Sequence, residues 1–421
     1  MKVFFKNSNF RLFATGSFLS SAGDVLFYLA FMTYASNLKN YSLAISLIAI
    51  SEAIPKFFTL FGGYLADKTR DKFKSIFNLA LVRCILYTIV GLLLTTKMSD
   101  WNLVMCIALA NFISDTFGTY SSGLVTPLIV AILGKENYAE GSGFANGMSQ
   151  TISMLARFAG ASMLLFMSYS SLAFINAATF LIAGILFALV GKRVNTQKLP
   201  LPKSNKLNFF QTLKTSFKQV KKQNNLLTMI SILVLLNAVL AVLIPLFTII
   251  LATHKQTMLI GSYSFTLAIG ETIVGGGMIL GSLFGPTIFK KTSVFLLAIY
   301  SSILALFASL SLFINNLFVI LGTFALLTFF VATISLKMNQ WLISSVESSI
   351  LGSTASLLNT LLMASDPFMT MLLSSITAIS NVYIAISVLL CFNVLVIFLI
   401  ITAYLKNKAL KANIPLAESE A

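Results

Sequence analysis

The sequence predicts an all-α membrane protein: twelve transmembrane helices in two six-helix, pseudo-symmetric bundles. Composition is the first observation behind this. Of 421 residues, 57% are hydrophobic and 10% charged, at a mean hydropathy of +0.90, and a soluble surface cannot be built from that mixture. The second is recurrence, since apolar runs of about 20 residues, enough to cross a bilayer, follow one another along the whole chain. The third is a single basic interruption near the middle, which leaves six runs on either side.

The runs lie near 12–36, 42–65, 75–96, 102–123, 141–166, 171–190, 226–252, 263–285, 293–313, 316–336, 351–376 and 380–404. Lys2, Lys6 and Arg11 precede the first run, which is too long for a signal peptide and has no A-x-A site, so it reads as a retained helix. Between the fourth and fifth runs, Ser122 to Gly143 contains Pro127, Lys135, Glu136 and Glu140; this stretch reads as a connection with room for a short interfacial helix. The division is then a six-helix bundle over 1–190, a linker over 191–225, a second bundle over 226–405 and a tail over 406–421.

An even number of crossings puts both termini on one side. Of the 29 Lys and Arg, 23 fall in the termini and connections of that side, three (Lys39, Lys97, Lys255) on the other, and three within runs. The positive-inside rule therefore places the termini in the cytoplasm and turns most of the net charge of +16 into a topology signal. Nucleic acid is not an expected partner. The linker carries nine Lys/Arg and no acid; Phe210, Leu213, Phe217 and Val220 recur in it at helical spacing among Lys214, Lys218, Lys221 and Lys222. It is either a helix lying on an anionic leaflet or a solvated connection.

A weak repeat supports the halving. Gly63-Tyr-Leu-Ala-Asp67 followed by Lys72 is echoed by Gly281-Ser-Leu-Phe-Gly285 followed by Lys290, 218 residues on. Many secondary transporters bind substrate between such repeated halves.

Ionisable groups within a bilayer cost several kcal/mol and mark candidate function. Asp24, among the small residues Ser20 to Gly23, is a proton-carrying carboxyl or the partner of a neighbouring helix. Glu52 and Lys56 are spaced i,i+4 with the acid N-terminal, the favourable order for a pair; the pair is structural or responds to proton or substrate. Glu271 falls one residue from Glu52 under the 218-residue offset, ahead of Gly275, Gly276, Gly277 and Gly281, which permit close packing or bending. Arg83, Asp115 and Arg157 form a candidate buried charge cluster, and Asp366 precedes Pro367 at an expected kink.

Other chemistry finds little purchase. Cys84, Cys106 and Cys391 lie singly in apolar runs, so neither disulfide nor metal site is expected. The one histidine, His254, lies in a loop, and no nucleophile elbow, phosphate loop or paired-carboxylate motif occurs. No enzyme activity and no cofactor are expected.

Gly63-Tyr-Leu-Ala-Asp67-Lys68-Thr-Arg70-Asp71-Lys72, after the second run, resembles the signature of the major facilitator superfamily in the loop where that family carries it. Asn9 to Leu12, Ser20 to Asp24 and the stretch from Ala145-Asn146 to Gly160 further resemble its drug:proton antiporter branch, which includes macrolide-efflux proteins. The chain departs from these patterns at Arg70-Asp71-Lys72 and at Ala161, where a proline would follow the glycine. The resemblance implies the major facilitator fold and a cytoplasmic latch made by Gly63, Asp67, Lys68, Arg70 and Lys72. It also implies proton-coupled efflux of hydrophobic or cationic drugs by a monomer in the bacterial cytoplasmic membrane, through Asp24, Glu52, Lys56 or Glu271. Export of a native metabolite, siderophore, peptide or lysolipid is the second expectation. A non-transporting sensor or scaffold is the third.

Overall fold

The computed structural model describes residues 2–59, 65–66, 68–194, 217–218, 226–345 and 348–412. Gly63, Asp67, most of the basic linker and the end of the tail therefore lie outside the described residues. The elements, in order, are α1 (Lys2–Lys6), α2 (Ser8–Ser36), α3 (Tyr41–Phe57), α4 (Lys72–Leu93), α5 (Asp100–Met163), α6 (Tyr169–Arg193) and α7 (Leu226–Thr253). They continue with α8 (Lys255–Met258), α9 (Tyr263–Ile288), α10 (Val294–Ile314), α11 (Leu317–Ser345), α12 (Ser348–Ile379) and α13 (Val382–Ala412).

Polar residues mark where these apolar helices begin and end. Asn7, Asp71, Ser168 and Ser293 accept a backbone N–H of the first turn of α2, α4, α6 and α10, the usual way to satisfy donors that have no intrahelical partner. Asn315 ends α10 in the left-handed region at φ 53°, a conformation its short polar side chain tolerates.

Among the described residues ten helices are long and apolar enough to cross a membrane. Helix α3, at 17 residues, and the second arm of α5, which carries Glu136, Glu140 and Arg157, complete the twelve-helix arrangement. The stretch 122–143 differs from its expected form as a connection with room for a short interfacial helix. Helix α5 continues through it because Leu124, Leu128, Ile129 and Leu133 bury a helical stripe against Phe10, Phe13 and Phe187. The direction changes instead at Gly134, whose φ of 78° and ψ of 167° suit glycine alone.

The chain forms two compact units. The first comprises 1–205 with 251–255 and 259–269; the second comprises 206–250, 256–258 and 270–421. In the first, α4 lies along α6, and α2 packs against α6 and α5. In the second, α10 packs against α11 and α13, and α12 against α13, around Ile230, Leu236, Leu297, Ile334, Met338 and Ile400. On α9, Gly277, Gly281 and Gly285 face α11 so closely that a Cβ on Gly281 would overlap the Phe329 carbonyl, and Thr333 Oγ1 donates to Gly281 O at 3.1 Å.

Within the first unit, Lys255 fastens the end of α2. Its Nζ donates to Ser36 O at 2.6 Å and Asn37 Oδ1 at 2.8 Å, and lies 5.6 Å from the centre of the Tyr263 ring. A cation suits the negative end of a helix, yet burial lowers the Lys255 pKa from its ordinary 10.5. A depressed folded pKa gives a contribution that is complete above 10.5 and is lost as pH falls through the folded value. The wild type is therefore expected to gain thermal stability over Lys255→Met, by about 1–2 °C, between neutral pH and 10.5. Melting both proteins in detergent across that range checks the sign.

Candidate functional site

Asp24, Arg83 and Asp115 converge where α2, α4 and α5 meet. Gly23 makes the approach possible: a Cβ there would overlap the side chains of Thr179 and Asn176 of α6, which occupy the space that a side chain on α2 would need. The next residue, Asp24, then faces α4. Arg83 Nη2 donates to both of its carboxylate oxygens at 2.9 Å, while Arg83 Nε donates to Ser114 Oγ on α5 at 2.8 Å.

Aromatic rings enclose the guanidinium. Its Cζ lies 4.0 Å from the centre of the Phe180 ring, a cation–π contact that strengthens when desolvated. Tyr87 stacks on Phe180 with centroids 5.6 Å apart and meets Phe27 edge-on at 4.8 Å. The Tyr87 hydroxyl donates to Asn111 Oδ1 at 2.9 Å, and Asn111 Nδ2 donates to Asp115 Oδ2 at 3.2 Å. Asp115 also lies within electrostatic reach of Asp24, Arg83 and Lys56.

Exposure separates the two ends of the ion pair. The Arg83 side chain is 8% exposed and that of Asp24 35%. The guanidinium is sealed among rings and helix backbones while the carboxylate keeps an open side. Two carboxylates beside one guanidinium carry one uncompensated negative charge when all three are ionised, and a proton or a cationic ligand can neutralise it.

Asp24, expected as a proton-carrying carboxyl or the partner of a neighbouring helix, is bonded to Arg83 of α4, with Asp115 in electrostatic reach. Arg157 is half-buried on the second arm of α5. Glu52 is half-buried and Lys56 exposed on α3; Glu271 and Asp366 are half-buried on α9 and α12 of the second unit. Sequence reasoning passed over Tyr87, Asn111, Ser114 and Phe180. Three residues of α5 offered a signal, since Asn111, Ser114 and Asp115 share one face by the three-to-four-residue spacing of a helix.

Of the latch residues, Lys72 is buried and its Nζ donates to Ala66 O at 2.7 Å and Thr69 O at 2.8 Å; Lys68 and Arg70 are exposed. Thr69 Oγ1 and the Tyr120 hydroxyl are 2.5 Å apart. In the second unit Lys337 Nζ, from α11, donates to Phe289 O at 2.5 Å and Thr292 O at 2.6 Å. A lysine thus fastens the turn before α4 and, in the other unit, the turn before α10. Among the described residues no three His, Cys, Asp or Glu come together as a metal would require.

No protein-family model matches the chain, and no curated protein matches its sequence. Solved structures do match in shape. An autoinhibited peptide transporter of the POT family is similar over 95% of this chain and 96% of its own, with a TM-score of 0.71 at 12% identity. The nucleoside transporter NupG matches over 93% and 99%, with a TM-score of 0.66 at 14% identity. A bacterial homologue of the iron transporter ferroportin, in an inward-facing state, matches over 94% and 98%, with a TM-score of 0.68 at 12% identity.

The chain has the major facilitator fold. At these identities the likeness is one of fold, and these three neighbours are a peptide transporter, a nucleoside transporter and a homologue of an iron transporter. The cargo of this chain has to be argued from its own side chains.

Proposed function

We propose that the chain is a secondary active transporter that exports a hydrophobic or cationic compound in exchange for protons by alternating access. In this reading it acts as a monomer in the bacterial cytoplasmic membrane, with both termini in the cytoplasm. The observation that carries the reading is the Asp24–Arg83 pair with Asp115 beside it, inside an otherwise apolar bundle. Insertion scales put each such charge at about 2.5–3.5 kcal/mol in a membrane centre, and aliphatic side chains would hold the helices together without that cost. The acidic excess of the cluster favours a cation, and the rings of Phe27, Tyr87 and Phe180 favour an apolar one.

Glu52, Lys56 and Glu271 are further groups through which coupling can act. The latch role of Gly63, Asp67, Lys68, Arg70 and Lys72 is supported by the two carbonyls that Lys72 holds. The test is accumulation of ethidium and of a macrolide by proteoliposomes containing the full chain. Accumulation should follow an imposed pH gradient, stop when a protonophore collapses it, and be absent when Asp24→Asn and Asp115→Asn are combined. Flux that ignores both the gradient and the double substitution would sink the reading.

A further inference from the structure

We infer that Asp115 is the group that takes up and releases the transported proton, and that Asp24 is a positioning residue which holds Arg83 in place. This rests on the proton-coupled reading above and assigns its two carboxylates different tasks.

The geometry distinguishes them. Both oxygens of Asp24 accept from Arg83 Nη2 at 2.9 Å. Protonating Asp24 therefore means giving up charge-assisted bonds, the strongest of their kind, and leaves the guanidinium facing only Asp115, a carboxylate it does not bond. Arg83 itself is fixed on other sides by Ser114 at 2.8 Å and by the Phe180 ring at 4.0 Å, so it cannot follow a departing partner without breaking those contacts as well.

Asp115 is under no such constraint. Among the described residues it makes no ion pair, and its one hydrogen bond is accepted by Oδ2 from the neutral Asn111 amide at 3.2 Å. Its other oxygen, Oδ1, is left for a proton. The side chain is half-buried. The charged and titratable groups facing it are Asp24 from α2, Lys56 from α3, and Arg83 and Tyr87 from α4. With Asp24 and Arg83 locked as a neutral pair, protonation of Asp115 toggles the triad of Asp24, Arg83 and Asp115 between one net negative charge and none, beside the Lys56 cation on α3.

The step is a simple transfer. A proton from water on the side of higher proton activity adds to the Asp115 carboxylate to give the neutral acid, and the same proton returns to water on the other side; no other bond is made or broken. Asn111 can hold Oδ2 in both states because its amide donates to a carboxylate and, less strongly, to a carboxylic carbonyl. Tyr87, which donates to Asn111, fixes the amide in that orientation.

The experiment is pH-difference infrared spectroscopy of the full chain in lipid, following the carbonyl stretch of protonated carboxyl groups. A titrating band is expected in the wild type, absent from Asp115→Asn, restored with a displaced midpoint in Asp115→Glu, and retained in Asp24→Glu. A band undiminished in Asp115→Asn overturns the assignment, as does one that vanishes only when Asp24 is changed. If Asp115→Asn does not fold, an unmoved midpoint in Asp115→Glu overturns it equally.

Ethidium accumulation separates this from the broader reading. Asp115→Asn should lose pH-driven accumulation by more than about tenfold. If the wild type shows no pH-driven accumulation, the transport reading fails on its own, and the infrared band still decides which carboxyl titrates.

Discussion

Replacing Arg83 by methionine is expected to abolish transport and to lower the stability of the first unit by about 3 kcal/mol, the lower end of what breaking a buried ion pair costs. The lower end applies because the stranded Asp24 side chain keeps 35% exposure and is partly hydrated. The remaining loss comes from Ser114, buried and deprived of its donor, and from the Phe180 ring, deprived of its cation. A drop in melting temperature on the order of 10 °C follows, and thermal unfolding in detergent measures it.

Two companion variants make the argument specific. Combining Arg83→Met with Asp24→Leu removes both charges and should return most of the stability, since an apolar pair of similar volume often replaces a buried ion pair without loss. Transport should stay absent, because the frame that keeps Asp115 as the sole exchanging carboxylate is gone. Arg83→Lys keeps the charge but not the planar fork; a lysine cannot bind Asp24 and Ser114 together while lying flat on Phe180. It should be intermediate in stability. If the double variant is as unstable as Arg83→Met alone, the ion pair is not what Arg83 contributes.

How much of this was legible from sequence follows from what lipid does to a pattern. The crossings could be placed because length and apolarity suffice for that, and the charges within them could be named one by one. Which charge meets which depends on how each helix is rotated, and in a membrane the core-facing and lipid-facing sides are equally apolar. Helix α2 shows the difficulty: its buried face is Phe10, Phe13, Phe18 and Phe27, residues that would serve as well against lipid. Depth alone therefore grouped Arg83 with Asp115 and Arg157, while the partner that holds it, Asp24, was set apart. The turn at Gly134 was hidden for another reason, because a glycine amid charges reads as loop, and only the buried stripe from Leu124 to Leu133 shows that helix runs up to it.

The glycines of α9 were flagged as one run with an outlier, Gly275 to Gly277 and Gly281, whereas the structure sorts them by face. Gly275 and Gly276 have open space where a Cβ would go; Gly277, Gly281 and Gly285, four residues apart, meet α11. Gly281→Ala is expected to cost at least the 1–3 kcal/mol typical of overpacking, because the atom in the way is the Phe329 carbonyl and no rotamer change can clear it. Gly281→Leu should prevent assembly of the second unit altogether. Gly285→Ala meets the Thr333 side chain instead, so combining it with Thr333→Ala should restore stability, although the bond from Thr333 to the Gly281 carbonyl is then lost. No side-chain truncation on α11 should rescue Gly281→Ala. Gly275→Ala and Gly276→Ala should be neutral or mildly stabilising, since alanine is the better helix former by about 1 kcal/mol and meets nothing. Melting temperatures of the six variants check the ordering, and a Gly281→Ala protein as stable as Gly275→Ala would show that α9 and α11 do not meet at backbone distance.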